Sequence, residues 1–185
     1  MHSDNWRNPL SSKSVLSLDG GGSHMLIQLS VLACLEEDTG TSTYDLFDMI
    51  AGSSSGGLIT CLILGRRISA GQIIQMALQE KLLEKMMVAH WMHRLLNKLQ
   101  IRPKYTGKQK SSTLQAELAN LRLSSLSKRI LIPCFNLNQD RLEIFTNENS
   151  FDFLLSEIAD ACTAAPSYYP PVRMEDGSWR MDGGV

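Results

Sequence analysis

Leu46-Phe47-Asp48-Met49-Ile50-Ala51-Gly52-Ser53-Ser54-Ser55-Gly56-Gly57-Leu58-Ile59-Thr60-Cys61-Leu62-Ile63-Leu64 reads as a strand, a tight turn and a buried helix in immediate succession. Leu46 to Ala51 reads as a short strand, and Gly56 to Leu64 is apolar nearly all round. The turn between them spells Gly-x-Ser-x-Gly, with Ser54 at its centre. Small flanking residues let a chain bend sharply and present such a serine hydroxyl at the tip. Serine and glycine together also make ordinary loops. The strand–turn–helix setting is what gives this pattern weight.

A second strand-to-helix turn lies upstream. Val15-Leu16-Ser17-Leu18 runs into Asp19-Gly20-Gly21-Gly22, and Met25 to Glu37 comes next with helical spacing at Leu26, Leu29, Leu32, Ala33 and Leu35. The Gly20, Gly21 and Gly22 amides carry no side chains that would obstruct them, as an oxyanion hole requires. A glycine turn of this kind can also cradle a nucleotide phosphate. That reading fails here, because no Lys-Ser/Thr follows and Met25 occupies the last position of Gly-x-Gly-x-x-Gly.

Near the other end, Trp179 to Met181 reads as a short strand delivering Asp182-Gly183-Gly184. Asp-Gly is a common turn, but beside the other two motifs Asp182 becomes a candidate base. A serine hydroxyl is a poor nucleophile until a neighbour takes its proton. The histidines are His2, His24, His90 and His93; none comes after Asp182, as the order of an α/β-hydrolase triad would require. A Ser-Asp dyad fits better, with Gly183 and Gly184 letting the backbone bring the carboxylate close to Ser54. The three motifs together predict an acyl hydrolase.

Ser69 and Gln72 form a capping box for a helix that the apolar spacing extends to about Gln100. Its methionines suit either ordinary packing on the sheet or a cover over an active site. Ile101 to Ser112 reads as a polar loop carrying Arg102, Lys104, Lys108 and Lys110. Its default reading is a solvated loop. Its sharper reading is contact with anionic headgroups, where each basic residue gains about 1 kcal/mol near a membrane. Thr113 to Leu121 reads as a helix, Arg129 to Phe135 and Arg141 to Phe145 as strands, and Phe151 to Ala164 as a helix closed by Ala165-Pro166. Strands alternating with helices predict an α/β sandwich around a mostly parallel sheet. One domain over residues 14–185 comes after a polar segment, 1–13.

With 185 residues, 43% of them hydrophobic, the chain has the material for a real core. Its net charge of −1 provides no bulk attraction to nucleic acid. Cys34, Cys61, Cys134 and Cys162 lie in apolar stretches without metal-site spacing, so reduced buried thiols and no metal or cofactor are expected. Met1 to Lys13 lacks an apolar leader core, and no run approaches the roughly 18 apolar residues of a spanning helix. The expectation is a soluble cytoplasmic protein that meets lipid at a surface.

At these residues the chain resembles a patatin-like phospholipase. Val15 to Gly22 is similar to the family's oxyanion strand, and Asp45 to Leu58 to its nucleophile elbow. Lys104-Tyr105-Thr106-Gly107 and Ile130-Leu131-Ile132-Pro133 resemble intervening segments. Ala161 to Pro171 resembles the stretch before the catalytic Asp, and Asp182-Gly183-Gly184 the Asp-Gly-Gly/Ala motif. The resemblance implies a three-layer α/β/α sandwich and phospholipase A or lysophospholipase chemistry without catalytic calcium. It assigns Ser54 as nucleophile, Asp182 as base, and the amides around Gly20, Gly21 and Gly22 as oxyanion donors. The Ser55 N–H is a further donor by elbow geometry, between the flanking glycines Gly52 and Gly56. The implied substrate is a phospholipid or lysophospholipid at a membrane surface, and regulated members imply an activating partner or signal. Two departures stand out. The family carries Arg or Lys and then Gly where this chain has His24 and Met25, and it continues past the point where this chain ends at Val185. The alternative these departures favour is a weak or silent lipid- or partner-binding module of the same fold.

Overall fold

A computed structural model describes residues 13–79, 81–87, 103–148 and 151–184. Strands β1 (Val15–Leu18), β2 (Met49–Gly52) and β3 (Arg129–Asn136) pair in parallel, with Leu16 beside Ile50 and Ile50 beside Ile130. The far half of β3 pairs antiparallel with β4 (Arg141–Phe145) and β6 (Trp179–Asp182), and β6 pairs antiparallel with β5 (Val172–Arg173). The α/β class expected from the sequence is observed, on a sheet that is mixed. Its parallel half carries Ser54 and its antiparallel half Asp182. The antiparallel half has a local cause: β3 and β4 are joined by a hairpin, which needs only a short turn. The Asn136 side chain stabilises that turn by accepting the Asn138 and Gln139 N–H groups at 3.0 and 3.1 Å.

Burial alternates along β3, with Ile130, Ile132, Cys134 and Asn136 buried and the intervening residues partly open or exposed. Helix α3 (Ser55–Arg66) lies against the sheet, in contact with β1, β2 and β3, and every residue from Ser55 to Leu64 is buried. Its nearly all-apolar sequence follows from that position, because other helices close its remaining sides. These are α1 (Met25–Thr39), α2 (Thr43–Leu46), α4 (Ala70–Leu78), α6 (Lys108–Leu118) and α7 (Leu155–Cys162), with α5 (Leu82–Met86) packed on α4 and α6. Among the described residues no single helix is long and apolar enough to cross a membrane.

Several elements differ from the sequence expectation. Leu46 ends α2 instead of opening β2, because Ser42 caps that turn by accepting the Asp45 N–H at 3.2 Å. The capping box at Ser69 is present, with both of its hydrogen bonds. The helix it starts, however, stops at Leu78, and Lys81 takes a left-handed conformation (φ 56°) before α5. The rest of the expected long helix, with His90 and His93, lies outside the described residues. Helix α6 begins at Lys108, so Lys108 and Lys110 are helical and not part of a solvated loop. Phe151 and Phe153 precede α7 in a non-helical stretch, and Phe153 meets Phe145 edge-on at 5.1 Å. Of the four cysteines Cys34 is exposed, on the outer face of α1.

Candidate active site

Ser54 joins β2 to α3 with φ 51° and ψ −121°, a conformation that non-glycine residues avoid. The surroundings hold it there. The Ser53 N–H donates to the Leu18 carbonyl at 3.1 Å, and the Ser53 carbonyl accepts the Gly56 N–H at 2.8 Å. A methyl group on Gly56 would overlap the Leu18 carbonyl, so glycine is needed for α3 to start this close to β1. The Ser55 N–H opens the helix and has no carbonyl partner within it.

The glycine loop arrives beside the same serine. A methyl on Gly20 would lie 2.9 Å from the Ser54 Cβ, so the close approach of the two turns itself requires glycine. Gln28, one turn into α1, donates its side-chain amide to the Asp19 carbonyl at 2.9 Å and ties the loop to that helix. Gly21 and Gly22 line the pocket over Ser54. His24 folds back over Gly21, and Met25, fully buried, contributes an apolar wall to that pocket.

Asp182 ends β6 opposite Cys134 and is buried. Its N–H donates to the Ala164 carbonyl at 3.2 Å, and its Oδ1 accepts the Gly184 N–H at 3.0 Å. Gly183 packs against the Pro133 backbone, and Gly184 stands between the Asp182 carboxylate and the Ser53 side chain. The C-terminal end of α7 touches both motifs: the Cys162 Sγ lies 3.7 Å from the Ser54 carbonyl, and Ala164 holds the Asp182 N–H. Among the described residues no hydrogen bond joins Ser54 to Asp182.

The pocket above Ser54 encloses about 490 Å³. Leu58, Leu83, Met86, Tyr105 and Tyr169 form much of its wall, and the Tyr169 hydroxyl donates to the Met86 carbonyl at 3.2 Å. Burial pushes the Tyr169 phenol up, so it stays a neutral donor. The volume and the apolar lining suit a small organic group or an alkyl chain with its polar end at Ser54.

A sequence model of the patatin-like phospholipase family matches residues 16–185. The chain belongs to the patatin-like phospholipase family. It is 30% identical to Patatin-like protein 4 of Arabidopsis thaliana over 93% of its own length and 48% of that protein. It is 32% identical to Patatin-like protein 1 of the same plant, over 85% of its own length and 43% of that protein. The chain thus spans about half the length of the curated relatives it matches. The crystal structure of VipD from Legionella pneumophila aligns with a TM-score of 0.61 at 14% identity, over 94% of this chain and 46% of that one, which is a likeness of fold. Membership supports lipid acyl hydrolysis as the activity of the family.

In this patatin-like chain one wall residue was not legible as such. Lys110, expected in a solvated loop, is buried and lines the Ser54 pocket. Its ammonium pairs with Asp160 Oδ1 at 2.9 Å and donates to the Asp160 carbonyl at 2.7 Å and to Thr163 Oγ1 at 3.2 Å. It also sits 4.3 Å from the Tyr169 ring centroid. The Ser111 hydroxyl donates to the other Asp160 oxygen. Burial lowers the affinity of Lys110 for its proton, and the Asp160 carboxylate opposes that. Lys110 thereby fastens α6 to the end of α7, the segment that touches both Ser54 and Asp182. The signal was the spacing Lys110, Leu114, Leu118, which puts the lysine on the buried stripe of α6.

Proposed function

We propose that this chain hydrolyses fatty-acyl esters of phospholipids or lysophospholipids at a membrane surface, through a Ser54–Asp182 dyad. The observation that carries this reading is the strained Ser54 turn. It sits at the floor of an apolar pocket, with the Gly20–Gly22 loop on one side and the segment anchoring Asp182 on another.

In the proposed cycle Asp182 takes the Ser54 hydroxyl proton as Oγ attacks the acyl carbonyl. The tetrahedral oxyanion is held by amides of the Gly20–Gly22 loop and by the Ser55 N–H, and losing one such donor costs about 3–4 kcal/mol. Collapse breaks the ester C–O bond. The protonated Asp182 returns its proton to the leaving alcohol, and acyl-Ser54 remains. Water then attacks the acyl carbonyl while Asp182 takes its proton; the second collapse reprotonates Ser54 and frees the fatty acid. The base and nucleophile of an unliganded site often close to hydrogen-bonding distance only in the substrate complex. The pocket supplies the remaining requirement, an apolar place for the acyl chain while the headgroup stays outside.

The test is intact-protein mass after exposure to a fluorophosphonate, together with fatty-acid release from lysophospholipid. The expected result is one adduct on the wild-type chain and none on Ser54→Ala, with turnover lost in the same variant. Lipid binding without adduct or turnover would favour a silent module, to which the His24-Met25 departure also points.

A further inference from the structure

We propose that Lys104 sets the headgroup preference at the mouth of the Ser54 pocket, selecting lipids with an anionic phosphate headgroup over those with a choline. The inference rests on the hydrolase reading for where the acyl chain lies, and it adds what the other end of the lipid meets.

The pocket walls are mostly apolar, and among the described residues no Asp or Glu lines it. A charged headgroup therefore stays at the open side. Tyr168, 52% exposed, and Met87, 44% exposed, mark that side, while Tyr105 and Tyr169 are buried behind them. Tyr105 lies 5.1 Å from the Tyr169 ring and 6.4 Å from the Tyr168 ring, so the mouth carries a cluster of three tyrosines. Such a cluster is the usual means of holding a quaternary ammonium.

Here a cation outside the pocket lining already stands over two of the three rings. The Lys104 ammonium stands 5.2 Å from the Tyr105 centroid and 5.6 Å from the Tyr168 centroid. Its backbone is fixed, because the Lys104 N–H donates to the Ser167 carbonyl at 2.9 Å and the Tyr105 N–H to the Tyr168 carbonyl at 2.8 Å. Among the described residues no carboxylate forms an ion pair with Lys104. The ring faces that would hold a choline are thus covered by a like charge, which repels its ammonium; the phosphate that both lipid classes carry is attracted, so a headgroup without a cationic group is favoured. Lys110, in the pocket wall, donates to the Asp160 carbonyl and to Thr163, and its charge is already paired with the Asp160 carboxylate, so it does not compete for that role.

The experiment measures binding to the Ser54→Ala chain, so that it does not depend on turnover. The ligands are lysophosphatidylglycerol and lysophosphatidylcholine of one acyl length, kept below their micelle concentrations. The anionic lipid should bind about fivefold or more tightly, a ratio that Lys104→Gln brings close to one and Lys104→Glu reverses. Lys108→Gln, an exposed neighbour, should leave the ratio unchanged. A ratio that survives Lys104→Gln, one that Lys108→Gln abolishes equally, or no binding of either lipid would overturn the proposal. Inorganic phosphate is added as a competitor. Displacement of the anionic lipid at low millimolar phosphate, lost in Lys104→Gln, would replace the headgroup with free phosphate as the ligand and so overturn it too. Fatty-acid release by the wild-type chain is measured in parallel. Lys104-dependent binding without release would sink the hydrolase reading alone, and release without Lys104 dependence would sink only the headgroup preference.

Discussion

Cys134 and Asp182 stand directly opposite each other in the antiparallel register of β3 and β6. Opposed residues point to the same side of a sheet, so the Asp182 carboxylate leaves on the face where Ile130, Ile132 and Cys134 are buried beneath α3 and α7. Ser54 is the cap of α3. The two motifs therefore meet on one face although 128 positions, 182 minus 54, separate them in the chain.

Replacing Asp182 with Asn preserves shape and removes the proposed base. We expect fluorophosphonate labelling of Ser54 and ester turnover to fall by roughly 10²–10⁴, the range for loss of a general base. The melting temperature should change little, because the Gly184 N–H still finds an oxygen. Labelling at the wild-type rate would rule out Asp182 as the activating group.

Gly20→Ala and Gly56→Ala separate catalysis from folding. The first places a methyl 2.9 Å from the Ser54 Cβ, on a loop at the pocket, and should depress turnover more than stability. The second drives a methyl into the Leu18 carbonyl in the core and should cost about 1–3 kcal/mol or more of stability, as overpacking does. Urea unfolding and esterase rates on both variants check the contrast.

Breaking the buried pair at one end leaves the other charge without a partner. Lys110→Met should destabilise the fold by about 3–5 kcal/mol, and Lys110→Met with Asp160→Leu should recover most of that loss, since a buried pair exchanged for apolar residues is often neutral. Equal stability of the single and double variants would contradict the pairing.

Acid should weaken the antiparallel half of the sheet. Arg180 is buried against Phe145 and Phe153, with its guanidinium bonded to both Asp176 oxygens at 2.8 and 2.7 Å and to Glu143 at 2.8 Å. The hydrogen bonds from Arg180 hold the Asp176 carboxyl below the usual carboxylate range. A depressed folded-state value means stability that is fully present above the unfolded-state value of about 3.9 and is lost as pH falls through the lower folded value. Thermal midpoints measured from about pH 5 down to pH 2 should decline, and less steeply in Asp176→Asn.

Native alkylation should mark one thiol. Burial pushes the Cys61 thiol up to about 12 and those of Cys134 and Cys162 well above the ordinary value, whereas Cys34 faces solvent. Thiolates react and buried thiols do not. Iodoacetamide should add one carbamidomethyl group, at Cys34, with the other three reacting only after denaturation.

What the sequence determined by itself was local. Ser54 between small residues, the glycine run after Leu18 and the capping box at Ser69 are read within a few positions, because a turn or a cap depends on its immediate neighbours. The tertiary structure decided what depends on partners far along the chain. Apolar spacing alone carries helix α4 on past Leu78, yet Lys81 turns left-handed, and α5 with the residue after it brings Met86 and Met87 to the pocket. Lysine is usually solvated, and sequence places Lys110 accordingly. It is buried because Asp160, 50 positions away, supplies an opposite charge and the end of α7 supplies acceptors. Asp182 is nameable from Asp-Gly-Gly, but the face it occupies depends on its register against β3. Local conformation is set by steric choice at each residue, whereas burial of charge and placement of a carboxylate are set by what the folded chain brings opposite them.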